Sequence, residues 1–109
     1  MTRPLQIKAM ASEVRLSILR YLAHPTQHFG QQWSADPATF GVCMTLIAEV
    51  LAVSQPTASR HLDILRQAGF ITVRRHQKWS YCQRNEAGIQ DYLAWLRQQL
   101  APADAPPPA

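Results

Sequence analysis

With 109 residues, 47% of them hydrophobic, and only two cysteines, the chain has room for one small domain and is unlike a secreted disulfide scaffold. No run approaches the roughly 18 apolar residues of a membrane span or the apolar core of a signal peptide, so we expect a cytoplasmic protein. The net charge of +4 is unevenly distributed. Residues 54–84 hold six Lys and Arg side chains and one acidic residue, Asp63, so this segment carries +5 and the rest of the chain −1. A positive segment of this kind indicates an anionic partner.

The N-terminal part of the chain predicts two helices. The main one begins after Ser12, a favourable N-cap, and is ended by Pro25. Its apolar residues recur at helical spacing: Val14, Ile18, Leu19 and Leu22. A short apolar helix precedes it, which a monomer of this size cannot easily cover, so we assign its apolar residues to a dimer interface: Leu5, Ile7 and Met10.

Residues 25–41 have no clear hydrophobic period and are predicted to form a loop. The signals are Pro25, Gly30, Pro37 and Gly41. The loop also contains three aromatic residues, namely Phe29, Trp33 and Phe40. Two interpretations remain open, because these rings can pin the loop onto the core or line a small-molecule pocket.

Two short helices joined by a tight break follow. Thr45 can cap the first, which extends to about Ala52 and has Leu46, Ile47, Val50 and Leu51 on its apolar side. Ser54 is the expected N-cap of the second, where Pro56 is tolerated in the first turn. Its buried stripe is Ala58, Leu62 and Leu65, and Gly69 with Phe70 fits a Schellman C-cap.

A β-hairpin with a basic tip is predicted next, since Ile71 and Val73 alternate with polar residues, and so do Trp79 and Tyr81. Asn85 can then cap a last helix. That helix has an apolar stripe, which we assign to packing and to the dimer interface: Ile89, Tyr92, Leu93, Leu96 and Leu100. The chain thus divides into a domain over residues 1–100 and a disordered, Pro-rich tail over 101–109.

This order of elements predicts a mainly α fold with a small β-hairpin wing, the winged helix-turn-helix, which places one helix in the DNA major groove and the hairpin beside it. Short polar side chains cluster at the start of the second helix of the motif. Gln55 can bind adenine bidentately, and Arg60 can take guanine or a phosphate. The candidate DNA-binding residues are Ser54, Gln55, Pro56, Thr57, Ser59, Arg60 and His61 on the helix, and Arg74, Arg75, His76 and Lys78 on the hairpin.

The segments SQPTASRHLDILRQAGFI and VRRHQKWSY, with ASEVRLSILRYL earlier, resemble the ArsR/SmtB family of bacterial metal- and stress-responsive repressors over about residues 12 to 100. The resemblance implies a homodimer with its first and last helices at the interface. It also implies an operator with two-fold symmetry that is released when an inducer binds. In this family the positions matching Gln55, Pro56, Ser59 and Arg60 contact DNA.

The chain departs from the metal-sensing members of that family. They carry either two cysteines one residue apart, leading into the first helix of the motif, or an acidic and histidine set on the last helix. Here Cys43 is followed by Met44 and Thr45. The last helix has no His or Cys, so we expect no metal and no cofactor. A short strand before the motif pairs with the wing in such folds, which can bring Cys43 near Cys82. These are candidate sensing thiols or ordinary half-buried side chains, and a thiol signal or a small molecule is favoured over a metal as inducer.

Two other classes of function can be compared with this sequence. An enzyme is not expected, because the seven acidic residues are scattered and no phosphate loop, HExxH or GxSxG string occurs. A winged helix that binds only proteins is the alternative, although it does not require short polar residues at Gln55 and Ser59 or arginines in the wing. Another winged-helix repressor family also remains open, because the 25–41 loop is long.

Overall fold

The computed structural model describes residues 2–104, which form six helices and three strands. In chain order the elements are α1 (Thr2–Met10), α2 (Glu13–Leu22), α3 (Pro25–Phe29), β1 (Val42–Cys43), α4 (Met44–Leu51), α5 (Gln55–Gln67), β2 (Ile71–His76), β3 (Trp79–Arg84) and α6 (Glu86–Leu100). The mainly α fold with a β-hairpin is confirmed. The predicted disordered tail lies mostly outside the described residues, and α6 ends at Leu100 where that tail was expected to begin.

The helix ends follow the local signals of the sequence. Ser12, Ser54 and Asn85 each accept a hydrogen bond from the backbone N–H three residues later. At the end of α5, Gly69 has a φ of +82°, and the Phe70 N–H donates to the Leu65 carbonyl at 3.0 Å. This is the predicted Schellman cap.

Two predictions about helix boundaries were wrong. α2 already ends at Leu22, and Pro25 begins α3, because proline is tolerated at a first helical position whose N–H has no intrahelical partner. Thr45 does not cap α4: the strand runs directly into the helix, and Cys43 is the N-cap residue without a side-chain hydrogen bond. Of the predicted apolar side of α4, Ile47 is buried but Val50 is exposed, and this helix also buries Ala48.

The sheet has the order β1-β3-β2, with both pairs antiparallel. β2 and β3 are paired from Ile71–Arg84 to His76–Trp79, so Gln77 and Lys78 form the tip of the hairpin. The predicted hairpin is therefore confirmed, and so is the short strand before the motif that pairs with the wing. β3 is paired with both β2 and β1, and β1 leads directly into α4, so the sheet connects the hairpin to the start of α4.

One hydrophobic core holds these elements together. It includes Ile18 from α2, Leu65 from α5, Phe70 after α5 and Tyr92 from α6. The Ala58–Leu62–Leu65 stripe of α5 is buried as predicted. Because this stripe faces the core, the opposite side of α5 is presented to solvent.

Candidate nucleic-acid interface

The N-terminal half of α5 presents an exposed polar surface. Gln55, Ser59 and Arg60 are exposed, and they are spaced so that they lie away from the buried stripe. Ser54 and Pro56 are exposed as well. We call these five residues the α5 surface, and its side chains are short or flexible enough to reach base edges and phosphates.

Thr57, also expected to contact DNA, is half-buried. Its hydroxyl accepts a hydrogen bond from Ser54 Oγ at 2.9 Å, and its N–H donates to the same oxygen at 3.2 Å. Thr57 therefore belongs to the helix cap, and it stiffens the start of α5.

The two faces of the hairpin have different neighbours. Arg75 lies opposite Ser80, on the face shared with Val73 and Cys82. A cleft of about 220 Å³ is lined by both Arg75 and Ser59, so this face of the wing adjoins α5. Of the hairpin cations, Arg75 is thus placed beside the α5 surface, and Lys78 extends from the exposed tip.

Arg74 and His76 are on the other face, against the segment that connects α3 to β1. The Arg74 guanidinium donates to the Phe40 carbonyl at 2.8 Å and lies 3.9 Å from the centroid of the Phe40 ring. His76 is edge-on to the same ring at 5.4 Å. Both side chains are engaged with Phe40 on the face away from α5, but both residues are exposed, so their contact with DNA stays a prediction.

Two further arginines of the positive segment have internal partners. Arg66 is paired with Asp63 at 2.7 Å. Arg84 is paired with Glu86 at 2.6 Å and donates to the Leu19 carbonyl. The positive charge available at the wing and α5 surface is therefore smaller than the sequence count suggests, and it comes mainly from three side chains: Arg60, Arg75 and Lys78.

His61 was predicted to contact DNA, but it faces α2. Its Nδ1 is 3.1 Å from an Arg15 guanidinium nitrogen, and Arg15 also donates to the carbonyls of Ala9 and Lys8 at the end of α1. Partial burial lowers the pKa of His61, and the positive charges of Arg15 and Arg60 lower it further. Neutral His61 thus accepts a hydrogen bond that links α5 to α1 and α2.

This geometry predicts a pH dependence of stability. Because the pKa of His61 is lower in the folded chain than in the unfolded one, protonation favours unfolding, so the free energy of unfolding falls as pH drops through the unfolded value of about 6.5. Above about pH 7.5 His61 is neutral in both the folded and the unfolded chain, so it gives the stability no pH dependence there. His61→Gln keeps an acceptor that does not titrate, and denaturant titrations of this variant between about pH 7.5 and 5.5 should show a shallower loss than the wild type.

His24→Gln is the matched control, because His24 is an exposed residue just after α2 and outside this cluster. The interpretation is wrong if His24→Gln flattens the pH dependence as much as His61→Gln does.

The two cysteines occupy neighbouring positions on the paired strands β1 and β3 but lie on opposite faces of the sheet. Cys82 is paired with Val42 and Val73, whereas Cys43 is paired with Tyr81, and side chains of adjacent positions alternate. Both are buried free thiols, and burial, followed by the nearby Cys43, raises the pKa of Cys82 to about 12. The geometry argues against a direct Cys43–Cys82 bond, which would require the strands to rearrange.

The residues assigned to the dimer interface fall into two groups. Ile89 and Tyr92 are in the protomer's own core, where Tyr92 packs on Phe70 at 5.2 Å, so for these two the interface assignment needs correction. The other residues are exposed or half-buried and lie on α1 and α6: Leu5, Ile7, Met10, Leu93, Leu96 and Leu100. The helices are joined by Arg3, which is paired with Asp91 at 3.1 Å and lies over the Trp95 ring. We call this set the α1–α6 surface.

Within residues 2–104, no group of three or more His, Cys, Asp or Glu side chains is arranged to hold a metal ion. None of the helices in this part of the chain has the length and hydropathy to cross a membrane.

Sequence reasoning missed two residues that position this interface. Arg15 joins α1, α2 and α5, and Gln32 holds the segment before β1 by donating to the Ala35 and Gly41 carbonyls and accepting from the Cys43 N–H. No local pattern marks either residue, because their partners are distant in sequence or are backbone atoms.

A family described as a helix-turn-helix domain matches residues 10–74. The chain is 37% identical to the uncharacterized HTH-type transcriptional regulator YbzH of Bacillus subtilis over 98 residues, which are 89% of this chain and 98% of that protein. It is 38% identical to the transcriptional repressor SdpR of Bacillus subtilis over 50 residues, covering 46% of this chain and 56% of SdpR.

Among solved structures, the chain is similar to the NMR structure of a homodimeric winged helix-turn-helix DNA-binding domain, Mb0332 of Mycobacterium bovis, a possible ArsR-family transcriptional regulator. The TM-score is 0.63 with 24% sequence identity, over 92% of this chain and 78% of the other. This likeness shows a shared winged helix-turn-helix fold.

Proposed function

Because this chain belongs to the helix-turn-helix family of transcriptional regulators, with the winged-helix fold of its ArsR members, we propose that it is a homodimeric repressor that binds an operator with α5 and the hairpin and leaves it when a small molecule binds. The fold and family are those of transcription regulators and not of enzymes.

One observation carries the proposal: the α5 surface is exposed, polar and positive at the end of a capped helix whose other side is buried. In this arrangement Gln55 and Arg60 read base edges. Arg75 and Lys78 bind the phosphate backbone beside it and supply affinity with little sequence information.

The dimer is supported by the α1–α6 surface. Leu5, Ile7 and Leu93 are 44%, 50% and 41% exposed, a costly arrangement for three apolar side chains on adjoining helices of a small protein. A second copy that packs on this surface by a two-fold axis removes them from water and presents two α5 helices to two half-sites. The homodimeric state of the Mycobacterium bovis domain is consistent with this arrangement.

A small molecule is favoured over a thiol signal as inducer. A thiol whose pKa is raised by burial has little thiolate at neutral pH, and thiolate is the reactive form, so Cys82 is poorly suited to oxidation by a peroxide or polysulfide. Cys43 and Cys82 also point to opposite faces of the sheet.

The test is Arg60→Ala in a mobility shift with the DNA upstream of the protein's own coding sequence, at fixed salt. Loss of a bidentate base contact costs about 1–3 kcal/mol, and a dimer loses one contact in each half-site, so we expect affinity to fall by at least about 30-fold and specificity at one position of each half-site to relax. Arg66→Ala is the matched control, because Arg66 is on the same helix but is paired with Asp63. We expect it to change affinity less than Arg60→Ala.

The alternative, a winged helix that binds only proteins, makes the opposite prediction. In that case the wild type does not distinguish upstream DNA from a scrambled duplex at any salt concentration, and the proposal is wrong.

A further inference from the structure

A cavity of about 300 Å³ lies on the side of the wing away from α5. Its walls come from three places in the sequence: residues 31–34, the end of β1 with the first turns of α4, and the start of β3. The indole rings of Trp33 and Trp79 and the side chain of Leu46 form its apolar part, and Glu49 is its single charged side chain. The volume is at the lower end of that of small-molecule sites.

Trp33 differs from the other two aromatic residues of its segment. Phe29 is buried in the core, and Phe40 packs on Tyr81 at 4.7 Å and under the Arg74 guanidinium. Those two rings therefore pin the segment, as the first of the two sequence interpretations proposed. Trp33 is 87% exposed, so its indole adds little to the packing of the protein and is available to a ligand.

The segment that carries Trp33 is held in place on both sides. The Gln32 side chain bridges the Ala35 and Gly41 carbonyls and the Cys43 N–H, at 2.7 to 3.0 Å. The Tyr81 hydroxyl donates to Ser34 Oγ at 2.9 Å. A ligand that binds beside Trp33 therefore meets a preorganised wall, which lowers the entropy lost on binding.

The charges of the cavity select the ligand. Aromatic faces attract cations, and the Lys78 ammonium already lies 5.3 Å from the centroid of the Trp79 ring. Glu49 takes part in none of the salt bridges seen within residues 2–104, so none of the Lys and Arg side chains described there is paired with its carboxylate. Two indoles and one carboxylate fit a small organic cation.

We propose that this cavity binds a small organic cation, a quaternary or protonated amine, between Trp33 and Trp79 with Glu49 as its counter-charge. The inference rests on the proposed function in one respect, that this cation is the inducer. α4 and Trp79 belong to the helix-turn-helix and the wing, and a cation beside Trp79 repels the Lys78 ammonium at the wing tip. Binding in the cavity therefore disfavours the position of the wing tip in which Lys78 contacts DNA.

The binding test uses the three tryptophan indole N–H signals of the full-length protein in nitrogen–proton correlation spectra. The probes are benzyltrimethylammonium, neutral benzyl alcohol and anionic benzoate, which share one ring and differ in charge. We expect the cation to shift the signals of Trp33 and Trp79 saturably, and Trp95 on α6 to stay unchanged. Equal shifts with the neutral or anionic probe, or no shift at Trp33 and Trp79, overturn the site.

Glu49→Gln removes the counter-charge and keeps the shape of the side chain. We expect it to weaken benzyltrimethylammonium binding about fivefold, the size of an exposed ion-pair effect. Glu13→Gln, an exposed carboxylate on α2 that does not line the cavity, is the matched control and should leave binding unchanged. Equal effects of the two variants contradict the assignment of Glu49.

A mobility shift with the same probe separates this inference from the proposed function. If operator binding of the wild type is specific and benzyltrimethylammonium weakens it in a Glu49-dependent way, the cavity is an inducer site. If the spectra show binding but operator affinity is unchanged, the inducer role is wrong while the cation site stands. If the protein binds no operator at all, the proposed function fails, and the spectra alone decide the site.

Discussion

Leu93→Glu is expected to convert the protein into a folded monomer that no longer binds a two-fold operator tightly. Leu93 is 41% exposed in the protomer, so a charged side chain there leaves the core intact. In a two-fold interface on the α1–α6 surface, the same change buries two unpaired carboxylates. At about 3 kcal/mol each, they weaken dimerisation by about 6 kcal/mol, or about 10⁴-fold.

Sedimentation velocity and a mobility shift on the full operator measure the two consequences. Leu16→Glu is the matched control, because Leu16 is 42% exposed but lies on α2, which the proposed interface does not use. We expect this control to remain dimeric. The assignment of the α1–α6 surface is wrong if Leu93→Glu sediments as a dimer, or if Leu16→Glu is the variant that dissociates.

Gly88→Ala is expected to destabilise the fold by about 3 kcal/mol, the upper end of the usual cost of overpacking. A Cβ at this position overlaps the backbone carbonyl oxygen of Gly69, which cannot move without disturbing the Schellman cap of α5, and it also crowds the Asn85 amide. Asn85 caps α6 and donates to that same carbonyl at 2.9 Å. The substitution therefore separates the start of α6 from the end of α5.

The sign of this effect distinguishes the tertiary contact from local propensity. Helix propensity alone predicts that alanine at Gly88 stabilises α6 by about 1 kcal/mol. Gly69→Ala is the control: it has a positive φ but no atom within 4 Å of the added Cβ, so it should cost only the about 1–2 kcal/mol of a left-handed residue. Denaturant titrations that find Gly88→Ala neutral or stabilising contradict the close approach of the two helices.

The parts of the fold predicted correctly depend on neighbours in sequence. Ser54 caps α5 through the N–H of Thr57, and Gly69 ends it through hydrogen bonds within one turn, so both signals are contained in a few residues. The hairpin is equally local, because strands that alternate apolar and polar residues and are joined by a short turn pair with each other. The wrong boundaries, at Pro25 and Thr45, are also local, since proline and threonine are each compatible with more than one position near a helix start.

The exposure of the side chains in the candidate site could be predicted from the sequence where it depends only on the helix period, and less well where the side chains have distant partners. Gln55, Ser59 and Arg60 are exposed because the buried stripe of α5 determines which side of the helix faces solvent. Strand alternation separates Arg74 from Arg75, but it does not say which of them faces α5. That depends on Phe40, a residue distant in sequence whose carbonyl and ring engage Arg74.

The sequence by itself therefore determined the order of the elements, the ends of the main helices and the polar surface of α5, because these depend on periodicity and on hydrogen bonds within one turn. Only the tertiary structure decided which charges remain available to DNA, that His61 bonds to Arg15, that Ile89 and Tyr92 belong to the core, and that Gly88 must lack a side chain. Each of these is a contact between residues brought together by packing, and no local pattern records which distant atom will be the partner.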